Sequence, residues 1–130
     1  MKKFIILLSL LIVFALNLSA KTYYYTATHM NSKISGYKWS GWEKIEELSV
    51  IINPDTRHID IYSPEPQVID YTALKQRKGA DFTELSGSAT DKNYLPINIY
   101  ATEYTNGNFY LTIEYSDVRY TYKLSLIEIL

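Results

Sequence analysis

NFYLTIEYSDVRYTYKL, residues 108–124, holds four tyrosines, Tyr110, Tyr115, Tyr120 and Tyr122, beside Phe109. Whether these rings form a surface or a core is decided by parity. Side chains of a strand point alternately to its two faces. Val118, Tyr120, Tyr122, Leu124 and Leu126 alternate with Arg119, Thr121, Lys123 and Ser125. Phe109, Leu111, Ile113 and Tyr115 alternate with Asn108, Thr112 and Glu114, and Tyr110 falls on the polar side. Two strands follow, each with one apolar face.

The turn between them must agree with those faces. A two-residue turn at Ser116-Asp117 sets Tyr115 against Val118, Ile113 against Tyr120 and Leu111 against Tyr122. A slip of one residue would send every ring to the wrong face. Three of the tyrosines are therefore core, and their hydroxyls need internal partners or a wet cavity. Upstream, Asn106-Gly107 suits a two-residue hairpin turn. That register would set the face of Ile97, Ile99 and Ala101 against the face of Tyr110, Thr112 and Glu114. A three-residue loop over Thr105-Asn106-Gly107, with Gly107 left-handed, instead pairs Ala101 with Leu111 and Ile99 with Ile113. Burial of apolar side chains outweighs the turn preference.

The same reasoning applies to SVIINPDTRHIDIY, residues 49–62. A turn that includes Pro54-Asp55-Thr56 sets Ile52 against Ile59 and Val50 against Ile61, leaving Ser49, Ile51, His58, Asp60 and Tyr62 outward. KTYYYTATH reads as a first strand, and SPEP at 63–66 as a kink or loop. QVIDYTAL reads as a strand that could bury either face. Lys75 to Ala80 is polar and reads as a turn, and residues 81–92 hold a weak strand with a polar loop. WSGWEKIEEL either opens a short helix capped by Ser40 or runs extended into Leu48. The alternation of Leu48, Val50 and Ile52 favours the extended form. The expected fold is all-β: a small antiparallel up-and-down barrel or sandwich of about eight strands. A barrel also removes exposed strand edges.

The first twenty residues differ in kind. MKKFIILLSLLIVFALNLSA has a basic start, an apolar run and a small residue at its end, the order of a secretory signal peptide. Cleavage after Ala20 leaves 110 residues, 21–130, as a single β-domain, exported to the periplasm or secreted. A chain of that size buries roughly two-thirds of its unfolded surface and folds without staples. With no cysteine it has no disulfide, no thiolate metal site and no thiol nucleophile. The 13 basic residues include Lys2 and Lys3 and face 14 acidic ones, with no basic stripe, so no nucleic-acid partner is expected. No membrane span is expected after signal cleavage.

Catalytic machinery is not legible. His58 and Asp60 share an outward strand face, but an open face excludes no water. Two histidines without cysteine argue against a metal site. None of the five glycines builds a phosphate loop, and no cofactor is called for. The best ligand-binding candidates are Tyr37, Trp39 and Trp42, aromatic platforms beside Gly36 and Gly41. They either rim a ligand mouth or plug the end of the barrel. Strict alternation puts positions 39 and 42 on opposite faces, so sharing one site requires a turn near Ser40-Gly41.

Trp39-x-x-Trp42, Ile61-Tyr62-Ser63, Glu65-Pro66-Gln67 and the aromatic hairpin from Phe109 to Tyr122 together resemble a group of short exported bacterial proteins of unknown function. The resemblance covers most of residues 39–124 and implies a lipocalin-like β-structure. The chain departs from true lipocalins in lacking Gly-x-Trp: here Gly36 and Trp39 stand three apart. The function expected is an exported binding module for a small apolar or aromatic ligand. The alternative is a protein-interaction or inhibitory module without a ligand cavity. An enzyme is the least expected.

Overall fold

A computed structural model describes residues 22–130. The proposed signal peptide lies outside the described residues. Nine strands and no helix make up the described chain: β1 (Tyr23–Ile34), β2 (Glu43–Asn53), β3 (His58–Ile61), β4 (Gln67–Tyr71), β5 (Lys75–Lys78), β6 (Phe82–Thr90), β7 (Pro96–Tyr104), β8 (Phe109–Glu114) and β9 (Val118–Ile129). Every pairing is antiparallel. Eight strands close an antiparallel barrel in which β1 lies between β2 and β9, and β5 is an additional strand on β6. No helix among the described residues is long and apolar enough to cross a membrane.

The registers are those that apolar burial demands. Ile113 faces Tyr120 and Leu111 faces Tyr122. Ala101 faces Leu111 and Ile99 faces Ile113, with Gly107 at φ 91° in the three-residue loop. Ile52 faces Ile59 and Val50 faces Ile61. Inside, one cross-strand row of inward side chains runs along the wall. Met30, Tyr122, Leu111, Ala101 and Leu85 are successive cross-strand partners on β1, β9, β8, β7 and β6. The central isoleucines and Leu111 are fully buried, so the middle of the barrel is packed rather than hollow.

Closure rests on a short seam. β4 meets β6 through only two pairs, Asp70 with Thr90 and Tyr71 with Ala89. The other half of the same β6 edge is taken by β5, from Lys75–Ser86 to Lys78–Thr83. Lys75–Lys78 is thus a strand, where the sequence reads as a turn. All four side chains are exposed, so no apolar periodicity marks it, and its ladder comes entirely from β6. The β4–β5 link crosses at Gly87, where a Cβ would lie 2.9 Å from Leu74 Cδ2 and 3.0 Å from the Ala73 carbonyl oxygen. Glycine is required there by close backbone approach. Thr72 secures the crossing through its N–H and hydroxyl, both donating to the Ser88 carbonyl.

Two inward cross-strand partners, Thr83 and Glu103, break the apolar rule. Glu103 continues the buried face of Ile97, Ile99 and Ala101 and is only 3% exposed. Its Oε1 has no hydrogen-bond partner, and burial pushes the carboxyl up to about 7.

Candidate functional site

Two concave sites stand out, one at the end of the barrel and one on its outer wall. The first forms where the β3–β4, β6–β7 and β8–β9 connections meet above the packed centre. It is a cup of about 530 Å³, walled by Tyr115, Tyr120, Tyr122, Met30 and Val118 and rimmed by Pro64 and Pro66. Each ring projects inward for the reason legible in the sequence: it shares parity with Leu111, Ile113 or Leu124.

The hydroxyls of these rings find definite partners. Tyr115 donates to Asp91 Oδ2 at 3.0 Å. Burial and this hydrogen bond push its phenol up to about 12. Desolvation draws the Asp91 carboxyl upward, but backbone N–H donors from Leu95 and Asn93, with the Tyr115 hydroxyl, outweigh it and hold the group below its ordinary value. Gln67 Nε2 donates to the Tyr122 hydroxyl at 3.3 Å. Gln67 Oε1 is buried and receives no donor. The cup therefore combines three aromatic rings and a thioether with one unpaired amide carbonyl, the mixture that small-ligand pockets use.

The second site is a shallow groove of about 370 Å³ on the outside of β1, β9, β8 and β7. Its floor is the row of outward side chains Asn31, Thr121, Thr112 and Thr102. Trp39 and Trp42 overhang it, and Tyr110 and Tyr104 extend it. The Trp42 and Tyr110 rings are 5.4 Å apart at 40°, although β1 and β9 separate their strands. Three strand spacings amount to roughly 14 Å, so the hairpin tip between β1 and β2 curls over the wall to make this contact. Gly41, at φ 98°, makes the turn. Asn31 Oδ1 accepts the Gly41 N–H at 3.0 Å, and the Ser32 carbonyl accepts the Ser40 N–H at 2.8 Å. The cover explains why Thr121, outward by parity, is only 9% exposed. Its hydroxyl pairs with that of Thr112 at 2.8 Å.

The two tryptophans are therefore brought together through the expected turn, but against the outer wall and away from the barrel's end. Trp39 is 40% and Trp42 48% exposed. Tyr37 stands apart at 72% exposure and lines neither site. The extended reading of WSGWEKIEEL holds, with β2 starting at Glu43. Sequence reasoning did not identify Gln67, which comes from a different hairpin than the tyrosines it joins. Its only signal was the Pro66-Gln67 entry into a strand.

His58 and Asp60 are neighbours, as their spacing dictates, with Nε2 to Oδ1 at 3.1 Å. The structure adds Asp70 of β4, whose Oδ1 is 2.6 Å from Nδ1. The hydrogen bond to Asp70 does most to raise the imidazole's pKa; desolvation opposes the rise and Asp60 adds to it. Both ring nitrogens are engaged by carboxylates, an arrangement that favours the imidazolium form and ties β3 to β4.

No family model, no curated protein and no solved structure matches the chain.

Proposed function

We propose that this protein is an exported binding module that holds a small aromatic or apolar ligand in the end cup. The observation that carries this reading is the pairing of a tyrosine- and methionine-walled cavity with the unpaired Gln67 carbonyl. A buried acceptor without a donor is costly, and rotation of the Gln67 side chain into the cup lets a ligand N–H or O–H relieve that cost. The ligand class is thus a planar or apolar body bearing one hydrogen-bond donor. The filled centre of the barrel confines it to the end. The resemblance to short exported bacterial proteins and the signal-like residues 1–20 support action in the periplasm or outside the cell.

The test compares 2-naphthol with 2-methoxynaphthalene, which lacks the donor, by amide chemical-shift mapping of residues 21–130. Binding at Tyr115, Tyr120 and Tyr122, with 2-naphthol preferred about tenfold, is expected. Gln67→Met should erase the preference and keep the methoxy compound bound. Absence of shifts around the cup with either compound overturns the reading. Intact-mass analysis of protein from its native source should show a chain starting at Lys21; an intact Met1 overturns export by cleavage.

A further inference from the structure

We infer that the outer-wall groove is a second, separate site that binds a neutral hexopyranose chain. Its lining sets it apart from the larger cavities. The end cup includes Glu65, Asp91, Lys92 and Asp117, and the neighbouring cavity beside the β8–β9 turn includes Lys33, Glu114, Asp117 and Arg119. The groove has no charged side chain at all. It offers two indoles, two phenols, three threonine hydroxyls and one amide. A pyranose ring has the complementary chemistry: C–H faces that lie on aromatic rings, and equatorial hydroxyls that exchange hydrogen bonds with hydroxyl and amide groups.

Competing ligand classes fit less well. Single-stranded nucleic acid also stacks on aromatic platforms, but it needs cations along its backbone, and none lines the groove. A purely apolar partner would cover the Thr102 hydroxyl and the Asn31 amide nitrogen without replacing their bonds to water. An acidic glycan would find no countercharge in the lining itself, although Lys123 is the cross-strand partner of Tyr110 and Arg77 stands over the Phe82 ring. A volume of about 370 Å³ suits a short stretch of sugar chain.

The platform is built before any ligand arrives. The contact of Trp42 with Tyr110 continues to Tyr104 at 5.7 Å, edge-on, and from Tyr104 to Phe82 at 6.1 Å. The hairpin tip is pinned by Asn31 and Ser32 through Ser40 and Gly41. Rings fixed in this way lose little freedom on binding. Two half-exposed indoles beside polar hydroxyls are otherwise an unfavourable surface for a protein to maintain.

The experiment titrates residues 21–130 with hexamers of β-1,4-glucose, α-1,4-glucose, β-1,4-mannose and β-1,4-N-acetylglucosamine, following tryptophan emission, with hexagalacturonate as the acidic control. At least one neutral hexamer should give a saturable blue shift with a dissociation constant of about 1 mM or tighter. Trp42→Ala and Tyr110→Ala should each weaken it by about tenfold or more, with far-UV circular dichroism confirming a folded barrel. Gln67→Met should leave it unchanged, which separates this site from the cup. The inference is overturned if no neutral hexamer saturates, if hexagalacturonate binds equally well, or if folded Trp42→Ala and Tyr110→Ala proteins bind like the parent.

Discussion

Gln67 and Tyr122, 55 positions apart in sequence, join across the end of the barrel through a 3.3 Å hydrogen bond from amide to phenol. The bond satisfies the amide nitrogen and leaves the carbonyl of the same side chain buried without a donor. It ties the start of β4 to the middle of β9 and makes Tyr122 both a wall of the cup and part of the core.

Tyr122→Ser should therefore lower stability by roughly 3 kcal/mol, as expected for loss of a buried aromatic. Thr121→Ser keeps the hydroxyl that meets Thr112 and loses one methyl under the hairpin tip, for a cost of about 1 kcal/mol or less. Urea melts of the two variants compare the faces directly. Equal losses would mean that the register of β9 against β8 is wrong.

Glu103 gives stability a pH dependence with a defined sign. Its carboxyl titrates at about 7 when folded, against 4.5 ordinarily. Between these values the unfolded chain releases a proton that the native state keeps, so stability falls as pH rises and levels off above 7. The amplitude is roughly 3 kcal/mol. Glu103→Gln should flatten this decline and be the more stable protein at pH 8. A parent protein whose denaturation midpoint is constant from pH 4.5 to 7 would contradict it.

His58 acts over a higher window. Its raised value means that the stabilising contribution is complete below about pH 6.5 and is lost as pH rises through the folded value. Asp70→Asn removes the largest cause of the rise and should remove most of this slope. Proton NMR titration of the imidazole reads it without relying on unfolding, and an unchanged His58 midpoint in the variant would refute the assignment.

Gly87→Val tests the seam. The new side chain meets the Ala73 backbone as well as Leu74, so the β4–β5 link must lift from β6. A loss of about 1–3 kcal/mol is expected, with faster amide exchange at Thr72, whose N–H donates to the Ser88 carbonyl. Unchanged protection there would show that the crossing does not depend on close backbone approach.

Acrylamide should quench both Trp39 and Trp42 in the free protein, since each residue is 40% exposed or more. Gly41→Val should alter the emission by disturbing a left-handed turn that only glycine makes without strain. Blue-shifted, unquenchable emission from the parent would place the indoles in the core instead.

By itself the sequence determined the strands and their faces. Period-two alternation and the need to bury apolar side chains set the registers of the β2–β3, β7–β8 and β8–β9 hairpins, because a one-residue slip inverts every face. Alternation also places Glu103 on the buried side after Ile97, Ile99 and Ala101, a signal that an acidic residue in a polar-looking stretch conceals. What only the tertiary structure decided depends on contacts between distant segments. Lys75–Lys78 is a strand because β6 offers it a free edge, not because of any pattern of its own. Closure follows from two residue pairs between β4 and β6. Gln67 reaches Tyr122 only once the barrel has closed, and the tryptophans meet Tyr110 only because Gly41 turns the hairpin tip over β1 and β9. Local alternation fixes which way a side chain points; the curvature of the closed sheet fixes what it meets there.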